Sequence, residues 1–187
     1  MFIDKKRIGE PIMNQEYQLR KTVYSALFAA LIAAGAFIAI PLGPVPIVLQ
    51  NLFVLLAGLI LGPRWGLYSV AIYLLIGGLG FPVFAGGTGG IGRLFGPTGG
   101  YLFGYLPAVL ITGYVSERLG KTRFADGAAM VAGSLIVYGT GVPWLKLATN
   151  MEWSKAIMVG LYPFILGDIL KIAAGIFAAK KIRPVIK

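Results

Sequence analysis

Charged residues are so sparse along this chain that their spacing marks out its elements. No charge falls between Thr22 and Pro63. That stretch is too long for one membrane crossing at about 20 residues, and PLGPVP, with Pro41, Pro44 and Pro46, divides it. The pattern predicts helix 1 from about Thr22 to Ile40 and helix 2 from about Val48 to Gly62. Gly62-Pro63-Arg64 turns the chain into helix 3, which runs to about Leu79. The connection from Gly77 to Gly100 is too rich in Gly and Pro to hold a regular helix. Helix 4 follows from Tyr101 to about Val115, then a charged loop from Glu117 to Asp126, and helix 5 from about Gly127 to Val142. A polar segment with Trp144, Lys146, Asn150, Glu152 and Trp153 suits a membrane interface. Helix 6 covers about Ala156 to Ala179. The expected architecture is therefore an all-α integral membrane protein with six transmembrane helices, or five if the short second one only re-enters. Its parts are an N-terminal segment 1–21, a membrane domain 22–181 and a basic tail 182–187.

Composition agrees with this picture. The 187 residues are 57% hydrophobic and 13% charged, with a mean hydropathy of +0.80. A soluble domain carries about a quarter charged residues, and this chain has too few to coat a soluble core. Seventeen Lys and Arg stand against seven Asp and Glu. They lie at the chain ends and in short loops, which argues for membrane orientation and against a nucleic-acid partner. With the N-terminus inside, Lys5, Lys6, Arg7, Arg20, Lys21, Arg64, Arg118, Lys121, Arg123, Lys180, Lys181, Arg183 and Lys187 face the cytoplasm, and only Arg93, Lys146 and Lys155 face out. Both termini are thus expected in the cytoplasm. The polar first twenty-one residues lack the apolar run of a signal peptide, so helix 1 is expected to remain in the mature protein.

Without Cys or His, thiol chemistry, disulfides and His general bases are excluded. No nucleophile–base set, metal cluster or cofactor motif stands out. Gly87-Thr88-Gly89-Gly90-Ile91-Gly92 fits G-x-G-x-x-G in form only, with no βαβ context and no acid about 20 residues on. No Lys-Ser or Lys-Thr pair follows, so it is not an ATP-binding loop either. Asp168 and Lys171 lie inside otherwise uncharged helix 6, three residues apart and so on one face. A charge at that depth costs at least about 2.5 kcal/mol on insertion scales. The pair either locks helix packing or lines a binding site. Arg93, the single charge of the glycine-rich loop, is a solvated interfacial cation or a fork for a carboxylate. Gln50 and Asn51 either cap helix 2 or meet a ligand. Two rows of small residues, Ala26-Ala30-Ala34 and Ala29-Ala33, permit another helix to approach, within the chain or from another protein.

Five runs, in order, resemble the BioY family, the biotin-specific substrate-binding (S) components of energy-coupling factor (ECF) transporters. They are PVPIVLQN at 44–51, AGLILGPRWG at 57–66, GLGFPVFAGGTGG at 78–90, FGPTGGY at 95–101 and PFILGDILK at 163–171. The resemblance implies a six-helix plasma-membrane protein that binds biotin from outside and works with a membrane scaffold and two ATPase subunits. No cofactor and no enzymatic activity are expected. It further implies that Asp168 and Lys171 meet the ureido ring, that Thr88, Gly89 and Gly90 belong to a lid, and that Arg93 takes the valerate carboxylate. Ala26, Ala30 and Ala34 would dock on the scaffold. Another vitamin's S component, a membrane enzyme and an assembly protein are the competing expectations.

Overall fold

The computed structural model describes residues 5–40 and 44–186. Residues 1–4 of the expected N-terminal segment, Pro41 of the expected turn and Lys187 of the tail lie outside them. The described residues form α1 (Lys5–Phe37), β1 (Ala39–Ile40), β2 (Ile47–Val48), α2 (Gln50–Leu61), α3 (Pro63–Gly78), α4 (Ile91–Leu94), α5 (Gly99–Arg118), α6 (Arg123–Thr149), α7 (Trp153–Gly160) and α8 (Tyr162–Ile186). The break expected around the prolines is a two-residue antiparallel ladder, Ala39 opposite Val48 and Ile40 opposite Ile47.

α2 is the hub of the bundle, touching α1, α3, α5, α6 and α8. Every residue from Val54 to Leu61 is buried. Twelve residues give it about 18 Å, well short of a bilayer core of about 30 Å. Close approach is secured by missing side chains. A Cβ on Gly58 would stand 2.7 Å from the Val109 carbonyl of α5, and one on Gly133 of α6 would stand 2.2 Å from Thr112 Oγ1.

Several helical boundaries differ from the sequence pattern, and a one-turn α4 lies inside the glycine-rich connection; three differences are large. α1 begins at Lys5 rather than near Thr22, so the polar N-terminal segment continues the helix. α6 passes through Pro143 and ends at Asn150, whose left-handed φ of 53° closes it. Pro143 removes one backbone donor, which a helix packed among others tolerates. Trp144 and Lys146 consequently belong to α6 rather than to a polar segment. The expected sixth helix is two, broken at Leu161, with the Gly160 carbonyl accepting from the Tyr101 hydroxyl at 2.8 Å. Pro163 then sits in the first turn of α8, where a missing N–H costs nothing.

Segments Gln15–Phe37, Arg123–Thr149 and Trp153–Ile186 are long and apolar enough to cross a membrane, yet only 33%, 39% and 28% of their apolar windows are buried. The remainder presents apolar side chains outward, among them Leu135, Leu166, Ile169, Leu170 and Phe177. Such a surface suits lipid, not water.

At the Arg118–Arg123 end, Arg183 of α8 joins four segments. Its guanidinium donates to both Asp126 oxygens at 2.7 and 2.8 Å, to the Leu59 carbonyl at 2.9 and 3.1 Å, to Ser116 Oγ at 3.0 Å and to the Lys121 carbonyl at 3.1 Å. Ser116 donates to Asp126 at 2.6 Å. The guanidinium N–H groups, the Ser116 hydroxyl and both Asp126 oxygens thus all find partners within the chain.

Candidate functional site

At the other end of α2 lies a cavity of about 420 Å³, within the range of small-molecule sites. Its walls come from the β1–β2 turn (Pro44, Val45, Pro46), the start of α2 (Gln50, Asn51), the glycine-rich loop (Phe84, Ala85, Gly86, Thr88, Arg93) and α5, α6 and α8.

One wall is polar and largely buried. Asp168 and Lys171 are 7% and 8% exposed, with Lys171 Nζ 3.1 Å from Asp168 Oδ1. Asn51 Nδ2 donates to the same oxygen at 3.0 Å, and the Tyr138 hydroxyl donates to Oδ2. Asp168 is thus held by three donors behind the cavity surface, whereas Lys171, Asn51 and Tyr138 line it. A buried pair with one partner removed leaves a costly charge, and these extra hydrogen bonds offset its desolvation. The satisfaction is incomplete. Asn51 Oδ1 is buried with no partner, and Lys171 has two N–H donors beyond the one on Asp168. Lys171 therefore offers a ligand further donors, and beside it Asn51 carries an acceptor with no partner in the chain.

Gln50 and Asn51 are not caps, since α2 begins without a side-chain cap bond. Gln50 is fully buried, lines the cavity and donates to the Tyr73 hydroxyl at 2.8 Å. The glycine-rich loop is ordered by Phe84, which pairs with Thr88 through both backbone amides and packs edge-on against Tyr73. Its far end is held where Trp144 Nε1 donates to the Gly96 carbonyl at 2.9 Å. Thr88 and Arg93 reach the cavity together, Arg93 Nε donating to Thr88 Oγ1 at 3.0 Å. Arg93 is exposed at the mouth and keeps its outer N–H groups for an anion.

Two expected lid residues do not line the cavity. Gly89 presses against the Phe81 carbonyl, which a Cβ would approach to 2.1 Å, and Gly90 needs its φ of 94°. Both shape the loop, while Ala85 and Gly86 supply its inner surface. The alanines of α1 separate cleanly: Ala26, Ala30 and Ala34 are exposed, whereas Ala29 is buried and Ala33 half-buried. Of the two rows, only the second packs within the chain.

Sequence reasoning did not single out Tyr101, Tyr105, Tyr138 or Phe164, all of which line the cavity. Tyr101 and Tyr105, four apart, share a face of α5, and that spacing was the available signal. Tyr138 stands alone in α6 and carries no such signature.

The family profile of BioY matches residues 13–187. The chain is 43% identical over 158 residues to a probable biotin transporter BioY from Pyrococcus horikoshii, covering 84% of this chain and 93% of that one. It is 42% identical over 166 residues to the biotin transporter BioY of Thermotoga maritima, covering 88% and 96%. The fold superposes with a TM-score of 0.84 on the crystal structure of the S-component for biotin from an ECF-type ABC transporter, at 31% identity over 91% of this chain and 93% of the other. Matched from residue 13 to its end, and carrying the Asp168–Lys171 wall within that fold, the chain belongs to the BioY family.

Proposed function

We propose that this protein captures biotin in the cavity beside Asp168 and passes it inward as the S component of an ECF-type transporter. The observation that carries the reading is the polar wall. A ureido ring presents two N–H donors and one carbonyl. Asn51 Oδ1 accepts and Lys171 Nζ donates, with Asp168 behind them holding both side chains in register. The apolar part of the ligand meets Tyr101, Tyr105, Tyr138 and Phe164, and Arg93 at the mouth pairs with the valerate carboxylate. Thr88 holds that guanidinium by its Nε.

The chain crosses the plasma membrane six times, with both termini in the cytoplasm and the cavity mouth outside. The distribution of cations supports this orientation. Residues 22–181 make the membrane domain, with 1–21 and 182–187 on the cytoplasmic side. The protein works without a resident cofactor and as a carrier, not an enzyme. A membrane scaffold and two ATPase subunits supply the energy. The exposed row Ala26, Ala30, Ala34 is the docking face for the scaffold, because small side chains let a second helix come close.

The test is binding of radiolabelled biotin to purified protein, challenged with thiamine and riboflavin. Biotin alone is expected to compete. Asp168→Asn and Lys171→Ala are each expected to weaken binding at least about thirtyfold while the protein still inserts. Unchanged binding in both variants returns the pair to a packing role.

A further inference from the structure

A second cleft, of about 490 Å³, opens at the Arg183 end and is lined by Lys121, Arg123, Asp126, Lys180, Arg183 and Pro184. Lys171 and Arg183 are twelve residues apart on α8, so the two sites lie about 18 Å apart along that helix. Arg183 itself is not available to a ligand, because Asp126, Leu59, Ser116 and Lys121 occupy its donors. Asp126 is likewise neutralised by Arg183 at 2.7 Å. Lys121 pairs with exposed Glu117 at 3.4 Å. Arg123 and Lys180 remain. Both are exposed, and among the described residues neither has an acidic partner. Two unpaired cations from different helices therefore share one cleft. The amino end of the 27-residue α6, where Arg123 sits, adds the positive end of its dipole.

The cleft is built rather than incidental. Lys121 adopts a left-handed φ of 57°, unusual for a residue with a side chain, and Arg183 holds it there through its carbonyl. Within five residues of the cations in sequence stand large apolar side chains that are exposed: Leu119, Phe124 at 84% exposure and Val185. Unpaired cations beside exposed apolar groups match a lipid, whose phosphate and acyl chains need one of each.

The geometry points to a binding site for the phosphate of an anionic phospholipid, gripped by Arg123 and Lys180, with the acyl chains along Leu119, Phe124 and Val185. A free phosphate shares the headgroup chemistry but would leave the apolar flank unused. The site rests on the membrane placement proposed above and is independent of biotin.

The full chain would be equilibrated with vesicles of phosphatidylcholine and phosphatidylglycerol in equal parts, extracted, and its retained lipid weighed by native mass spectrometry. Phosphatidylglycerol is expected to be retained over phosphatidylcholine. The double variant Arg123→Ala, Lys180→Ala should lose that preference roughly tenfold. A charge-matched control, Lys146→Ala with Lys155→Ala, should keep it, and biotin binding should be the same in both variants. Should the alanine pair fail to yield folded protein, Arg123→Gln with Lys180→Gln gives the same readout. Equal retention of the two lipids by the unmodified chain overturns the site. So does an equal loss in the control, which would mean diffuse charge. Displacement of the lipid by millimolar inorganic phosphate would assign the cleft to a soluble anion instead.

Discussion

Asp126 and Asp168 are both buried carboxylates paired with a cation of α8, yet the two ends they occupy behave oppositely. Around Asp126, five donors of Arg183 and the Ser116 hydroxyl close the network on the chain itself. Around Asp168, the carboxylate is well held, but its neighbours are left open: Lys171 faces a cavity and Asn51 Oδ1 has no partner. Burial and ion pairing alone do not separate a clasp from a receptor. The distinction lies in what remains unsatisfied at the wall of a cavity.

The strongest way to break this contrast is Arg183→Ala. It leaves Asp126 buried without its counter-charge and is expected to cost about 3–5 kcal/mol of stability. Thermal unfolding in detergent would read this as a large drop in midpoint, far larger than any accompanying change in biotin affinity per folded molecule. An unchanged midpoint would make the clasp no more than a surface pair. At the open end, Arg93→Lys keeps the charge and removes the fork. The expected effect is about 1 kcal/mol, or roughly fivefold in Kd, with no change in melting. A loss confined to stability would place Arg93 in the scaffold of the loop. The smallest effect should come from Tyr73→Phe, which removes the acceptor of Gln50 Nε2 one layer behind the cavity. Calorimetry should find biotin bound about two- to threefold more weakly, since the freed amide can turn toward the ligand space. A loss as large as that from Asp168→Asn would move the centre of recognition from α8 to α2.

The open end was more legible in the sequence than the closed one, for a physical reason. A charge in an apolar span is conspicuous because lipid cannot solvate it, and Asp168 and Lys171 stand out on that ground alone. Arg183 is hidden among Lys180, Lys181 and Lys187, and Asp126 looks like the end of a charged loop. Nothing local distinguishes a cation that folds back from one that faces water. Breaks in helices were read poorly where they depend on tertiary contacts. Pro143 did not end α6 because the helix continues among neighbours, and the break at Leu161 is stabilised by Tyr101, 60 residues earlier. Spacing alone could show the two alanine rows of α1 but not sort them, because which side faces α2 and α3 is settled only by packing.

The position of Arg183 also sets a lever. It lies near one end of α8, and Tyr162 at the other end is 21 residues away, about 32 Å along the axis. With the helix pinned through four segments at one end, a rotation of about 3° there displaces Lys171 by about 0.9 Å and Tyr162 by about 1.7 Å. Small angular play at the fulcrum thus becomes a hydrogen bond made or lost beside the cavity, and the fixed end of the molecule governs how finely the other end can be adjusted.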